Sequence, residues 1–301
     1  MINLKVCEVF RQRRGLSLAG AALLIALAVG CRLPHSPQQE GRTYGGGKFD
    51  EGNAVQQTSD GGYVIAGTTE SYGAGKADVY LIKTGTTGDT LWTRTYGGID
   101  IGSASAIEQT GDSGYVIVGS IRTGGLGDIY LIKVNAVGDS MWARTYGGTD
   151  SEHGNGVQQT ADGGFIIAGS VGDASSYGVY RHFLIKTDGA GETLWTRTYG
   201  GTGVDYRNAV HLATDGGFIV AGTTVSAGSG GEDVYLMKTD AAGDTLWTRA
   251  YGGADVDRGR TVALTSDGGY IVTGATWSYG AGGIDVFLIK TDSLGNPEFV
   301  H

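Results

Sequence analysis

Apolar residues in this chain fall in short blocks rather than at helical spacing. Blocks such as GYVIAGTT (62–69) and DVYLIKT (78–84) are nearly continuous. Runs of this length, bounded by Gly, Asp and Ser, predict β-strands buried on both faces. A third kind of block alternates. In TLWTRTYGG (90–98), Trp92, Arg94 and Tyr96 share one face, where a guanidinium can lie between rings as a packing element. A short block, NAVQQT (53–58), precedes an Asp-Gly turn that accepts the positive φ of a tight hairpin.

The blocks recur. The turn signal stands at DGGY (60–63), DSGY (112–115), DGGF (162–165), DGGF (215–218) and DGGY (267–270). LIK or LMK starts at 81, 131, 184, 236 and 288, and Leu/Met-Trp ends at Trp92, Trp142, Trp195 and Trp247. Each unit of about 50 residues therefore predicts four strands, A to D. Five such units predict an all-β, five-bladed β-propeller of four-stranded antiparallel blades. The repeats run over about 47–98, 99–148, 149–201, 202–253 and 254–301. Phe299 takes the Trp place in repeat five, and no TYGG follows it; Arg42-Thr43-Tyr44-Gly45-Gly46 supplies that piece at the other end. The expectation is a ring closed by residues 42–46 within a 42–301 propeller, because a closed ring has no sheet edges. An open solenoid is the alternative.

Composition fits many strands and tight turns: 56 Gly and 3 Pro in 301 residues. The formal charge is −9, and without residues 1–30 (Lys5, Arg11, Arg13 and Arg14 against Glu8) the remainder is near −12. So acidic a domain repels phosphate backbones, and no nucleic-acid partner is expected. The cysteines are Cys7 and Cys31, which leaves the repeats without thiol chemistry.

Arg11, Arg13 and Arg14 precede an uncharged run from Leu16 to Gly30, the layout of a signal peptide over 1–30 and shorter than the roughly 20 residues of a membrane span. Ala28-Val29-Gly30-Cys31 resembles the lipobox of bacterial lipoproteins, with Ala28 where that family usually has Leu. The resemblance implies diacylglyceryl attachment at Cys31, with residues 31–41 as lipidated Cys and tether. It implies a membrane partner and a place in the cell envelope, on the periplasmic or outer surface. An uncleaved signal anchor and an ordinary secretory signal are the alternatives.

The repeat unit resembles the β-propeller repeats of bacterial secreted and cell-surface proteins. Its second half, DVYLMKTDAAGDTLWTR (233–249), is similar to the tryptophan-docking motif of quinoprotein-type propellers. Quinoprotein dehydrogenases usually have eight blades and a metal-assisted quinone site. Five repeats without a matching site do not carry that activity, so no cofactor is expected. A lipoprotein propeller with a similar motif serves in outer-membrane barrel assembly, which implies a scaffold role as one possibility.

Antiparallel A-to-D meanders put the B–C loops and the D–A links on one face, and variable loops on a rigid scaffold are where binding concentrates. Before strand A stand Asp50, Glu152, Asp205 and Asp257, with Gly102 in repeat two. Three residues further on stand Asn53, Ser105, Asn155, Asn208 and Arg260. These groups can bind a cation or sugar hydroxyls, or the carboxylates can cap local turns. Tyr72, Tyr177, Trp277 and Tyr279 lie on Gly-rich B–C loops, where they can stack on a ligand or cover blade edges. Repeat three breaks the pattern with Arg181-His182, and Tyr206 and Arg207 join it as ligand candidates. His153, His182 and His211 lie on adjacent repeats, but their strand positions do not imply convergence on a metal. GxSxG, HExxH and phosphate-loop motifs are absent, and no catalytic residues are assigned. The expected function is a lipid-anchored binding or scaffold propeller whose ligand is a carbohydrate or an envelope protein. A carbohydrate-active enzyme at the channel mouth and a purely structural envelope protein are the alternatives.

Overall fold

Five four-stranded antiparallel sheets, each in the order A-B-C-D along the chain, make up the computed structural model. It describes residues 41–122, 126–172, 179–201 and 203–300, without the side chains of 206–208. The lipobox, the tether and Tyr177 lie outside the described residues. The A strands are β1 (Asp50–Gln57), β5 (Ile101–Gln109), β9 (Ser151–Gln159), β13 (Asp205–Leu212) and β17 (Asp257–Leu264). In blade one β2 (Tyr63–Thr69), β3 (Asp78–Thr84) and β4 (Thr90–Tyr96) complete the meander. The architecture is the five-bladed propeller that the repeats predict. Consecutive A strands neighbour one another, which makes them the inner strands.

Strands B and C carry the core. Every residue of β3 is buried, and Val64, Ala66, Val79 and Leu81 of blade one pack on Ala104, Tyr115 and Ile117 of blade two. Clusters of the same composition join blades two to three, three to four and four to five. Each such aliphatic side chain contributes roughly 1.5–3 kcal/mol when fully buried.

Strand A begins at Asp50, three residues earlier than the apolar pattern predicts. The register explains why. A bulge skips Asn53 between the Gly52–Gly67 and Ala54–Ala66 pairs, and the extra residue resets the alternation. Bulges skip Ser105, Asn155 and Arg260 at the matching places.

The turn signal and the LIK motif prove to be two halves of one contact. Lys83 is buried in the apolar run, and its Nζ lies 2.9 Å from Asp60 Oδ2 while donating to the Thr84 carbonyl at 2.9 Å. The pairs Lys133–Asp112, Lys186–Asp162 and Lys238–Asp215, each at 2.8 Å, and Lys290–Asp267 at 2.9 Å repeat it. The Lys186 hydrogen bond holds the Asp162 carboxyl at about 2. The same aspartates receive the turn amide, as Gly62 N to Asp60 at 3.0 Å. The residue after the Asp adopts positive φ in every repeat. It is Gly in four and Ser113, at φ 64°, in repeat two.

Strand D joins neighbouring blades. The Trp92 ring approaches Gly138 in the C–D turn of blade two so closely that a Cβ there would lie 2.8 Å from it, and the Tyr96 hydroxyl donates to the Gly138 carbonyl at 2.6 Å. Trp142 and Tyr146 treat Gly191 in the same way, as do Trp195 and Tyr199 at Gly243 and Trp247 and Tyr251 at Gly295. Arg94 lies over the Trp92 ring at 5.6 Å, as the alternation predicts.

The outermost blades differ. Tyr44 donates to Gly88 of blade one at 2.6 Å, in the manner of a preceding strand D. Yet Val55 is 67 % exposed and Val286 77 %, whereas Val262 and Val234, at equivalent places, are buried. Residues 42–46 form no strand.

One interblade bond titrates. Gln56 and Gln158 accept the amides of Gln109 and Leu212 on the next blade, each at 2.6 Å. In blade two the acceptor is Glu108, bonded by Gln159 N, and burial raises its pKa to about 7. Between the ordinary carboxylate value and pH 7 the folded chain keeps a proton that the unfolded chain releases. Stability therefore falls as pH rises through this window. Glu108→Gln keeps an acceptor and removes the titration. In urea unfolding it is expected to match the parent at pH 4 and to exceed it by on the order of 2 kcal/mol at pH 8. Equal stability at pH 8 would show that the carboxyl is not desolvated.

Candidate functional site

The B–C loops and D–A links do share one face. Glu70 N bonds Phe49 O at 2.8 Å and Trp277 N bonds Val256 O at 2.9 Å within a blade. Gly102 N bonds Ala77 O at 2.9 Å and Asp257 N bonds Glu232 O at 2.6 Å between blades. Two parallel bridges, Ala77–Ile101 and Tyr180–Val204, add to this lacing.

The acidic positions expected before strand A instead open it, Asp50, Asp205 and Asp257 as first residues of β1, β13 and β17 and Glu152 as second of β9, and local donors hold them in three blades. Asp50 accepts the Thr69 hydroxyl, Ser71 Oγ at 2.7 Å and Gly46 N at 2.8 Å. Burial pushes its pKa up, but these donors prevail and hold it below the ordinary value. Asp205 accepts from Thr224, Ser226 and Gly201 N, and Asp257 from Thr276, Ser278 and Gly253 N. A signal for this lies in the sequence. Thr-x-Ser starts on the last residue of strand B in the three repeats that carry Asp, whereas Ile121 and Val171 take the Thr place beside Gly102 and Glu152. Glu152 is buried with Oε2 unpartnered, and its pKa is raised by burial and then by Asp128 and Asp150.

Asn53 and Asn155 sit in the strand-A bulges. Asn53 Nδ2 donates to the Ala104 carbonyl of blade two at 2.9 Å, while Asn155 Oδ1 is buried without a partner. Of Asn208, Tyr206 and Arg207 only the backbone in β13 is described. Tyr72 donates to the Gly45 carbonyl at 2.9 Å with its ring 5.6 Å from Tyr80. Tyr279 donates to Gly252 at 3.0 Å and stacks on Phe287. Both tyrosines tie a link to a loop while leaving nearly half of the side chain exposed.

The histidines occupy separate environments. His182 is buried and stacked on Tyr235 of the next blade at 4.6 Å, His153 lies near Ser120 and Ser151, and His211 Nδ1 lies 3.0 Å from the Leu212 carbonyl. Two features escape the sequence reading. Arg258 of blade five pairs with Glu232 of blade four and lies over Trp277 at 5.2 Å. Phe49 (57 % exposed) and Ile99 (86 %) stand out from the D–A links of adjacent blades. A cleft of about 630 Å³ opens beside the edge of blade five, among Tyr251, Tyr279, Phe287 and Val300.

No family model matches the chain. Over 138 residues it is 30 % identical to the regulatory protein FlaEY of Caulobacter vibrioides; the match covers 38 % of this chain and only 14 % of that protein. A protein of unknown function from Bacteroides caccae is similar in structure, with a TM-score of 0.53 and 11 % identity over 84 % of this chain and 82 % of that one. An α-L-arabinofuranosidase from Lactobacillus brevis (10 % identity) and a thermostable family-43 glycoside hydrolase (11 %) each give a TM-score of 0.47 over 82 % of this chain and 92 % of theirs. At 11 % identity the likeness to the Bacteroides caccae protein is one of fold alone; the five blades are read from the chain's own five sheets.

Proposed function

We propose that this chain is a lipid-anchored propeller of the cell envelope that binds a carbohydrate or an envelope protein on the face of the B–C loops and D–A links. The observation that carries the reading is where the repeat symmetry breaks. Exposed Leu91, Met141, Leu194 and Leu246 recur blade by blade at the start of strand D. On the other face Ile99 has no large apolar counterpart, Thr149 and Ala254 standing at its place, and Phe49 is the one aromatic at a place that holds Ile101, Ser151, Val204 and Val256 in the other repeats; both are exposed. Unrepeated apolar side chains on a rigid, laced rim are the usual anchors of a binding surface. The double substitution Phe49→Ala and Ile99→Ala is expected to weaken binding at least tenfold to whichever glycan or envelope protein a screen identifies, with little change in melting. Asp240→Ala, in a C–D turn, leaves binding intact. Loss in the control alone would invert the assignment of faces.

The alternative is a carbohydrate-active enzyme, the kind of activity named for the glycoside hydrolases above. The observation on its side is Glu108, an inner-strand acid whose pKa of about 7 suits proton donation. Sugar release that disappears in Glu108→Gln would establish that reading; binding without release favours the first.

Anchoring rests on Cys31, whose lipidation would hold the propeller at a membrane. Labelled fatty acid is expected to enter the parent chain and not Cys31→Ala; uptake by the variant would exclude this attachment point.

Ring closure completes the proposal. Blade five would cover Val55, blade one would cover Val286, and residues 42–46 would extend strand D of blade five. Val286→Asp is then expected to destabilise by roughly 3 kcal/mol, as for a charge placed in a core. An unchanged melting temperature would mean that the ring stays open.

A further inference from the structure

We propose that calcium binds at two blade junctions, held between Asp233 and Asp257 at one and between Asp128 and Glu152 at the other. The junctions of this chain provide their own controls. At each, the backbone amide in the middle of the D–A link faces a place for a carboxylate at the start of strand C and another at the start of the next strand A. Between blades one and two only Asp78 is acidic, because Gly102 stands opposite, and Gly98 N donates to Asp78 Oδ1 at 3.1 Å. Between blades three and four Arg181 replaces the strand-C acid, and Gly201 N donates to Asp205 Oδ2 at 3.1 Å. One acid and one amide match.

The other two junctions have two acids for the one amide. Gly253 N donates to Asp257 Oδ2 at 2.7 Å, and Asp233 keeps only Ser229 N, at 2.8 Å on Oδ2. Asp233 Oδ1 is left unpartnered in a residue that is 1 % exposed. At the second junction the unpartnered atom is Glu152 Oε2, in a residue 6 % exposed. In both cases the orphan oxygen faces the other carboxylate. The point where a Cβ on Gly252 would stand lies 2.0 Å from Asp233 Oδ1 and 2.7 Å from Asp257 Oδ2. The corresponding point at Gly147 lies 2.0 Å from Asp128 Oδ1 and 3.0 Å from Glu152 Oε2. The two oxygens of each pair are therefore no more than about 5 Å apart, a span that one ion can bridge.

A buried carboxylate oxygen that has no donor and faces a second carboxylate is repelled by it unless a positive charge lies between them. Calcium suits the arrangement because it takes hard oxygen ligands at 2.3–2.6 Å in flexible geometry and completes its shell with water or carbonyls. Magnesium, which demands near-ideal octahedral geometry, suits it less. Each ion would bridge two blades and so stabilise their packing.

The test is thermal unfolding of the whole chain, stripped with a chelator and then titrated with calcium. Calcium at 100-fold its dissociation constant is expected to raise the parent melting temperature by roughly 5 °C, more than equal magnesium does. Asp233→Asn and Glu152→Gln should each lose part of this rise, and the double variant all of it. In chelator each single variant should melt above the parent, because the repulsion is gone. Asp78→Asn, at the junction with one acid, should keep the full response. A parent indifferent to calcium overturns the proposal, as does a double variant that still responds. A metal-free parent that responds to acid and not to calcium would overturn it in favour of a proton shared by each pair.

Discussion

Everything in this fold depends on one contact, the seating of a strand-D tryptophan and tyrosine on a single glycine of the following blade. A four-stranded blade alone has two apolar faces and little to cover them. Gly138, Gly191, Gly243 and Gly295 let an indole come close to the backbone while their carbonyls accept a tyrosine hydroxyl. The ring also meets the first residue of strand B, as Trp142 meets Phe165 edge-on at 5.8 Å. Any side chain on these glycines would push the indole away and open the aliphatic interface behind it.

Within a blade the counterpart is the buried lysine. Lys186 crosses an apolar strand and ends on an aspartate at the turn between strands A and B. Removing either partner would strand the other: the lysine would be a buried cation, and the turn amide would lose its acceptor. This contact ties the outer half of the blade to the inner hairpin, and it fixes the spacing of two motifs that otherwise look independent.

How far the structure can be read from the chain follows from these contacts. The strands and turns are legible because Asp-Gly and the apolar blocks act locally, and Ser113 shows that the turn's positive φ is imposed by position rather than by residue. The Trp92–Arg94–Tyr96 face is legible as packing, but its partner, a turn 42 residues on from Tyr96, is not. Lys186 hides in LIK because one charge in an apolar run gives no direction. The start of strand A is illegible because the bulge at Asn53 breaks the period on which strand reading depends. The acidic positions at the start of strand A are visible as a repeat, and their donors become visible once Thr-x-Ser is compared across repeats. Ile99 carries no motif at all, and Phe49 sits at a place that is apolar in most repeats, so only their exposure distinguishes them.

The clamp between blades is directional: at each of the four described junctions the strand-D tyrosine and tryptophan of one blade reach forward to the turn of the next. During synthesis the N-terminal blade is therefore complete, with its indole in place, before the residues that will receive it leave the ribosome. At about 5–20 residues per second each new repeat emerges within roughly 3–10 s, long enough for a hairpin to form and dock. The nascent chain thus lengthens its own template as it is made, and assembly proceeds as a vectorial zipper from the N-terminus.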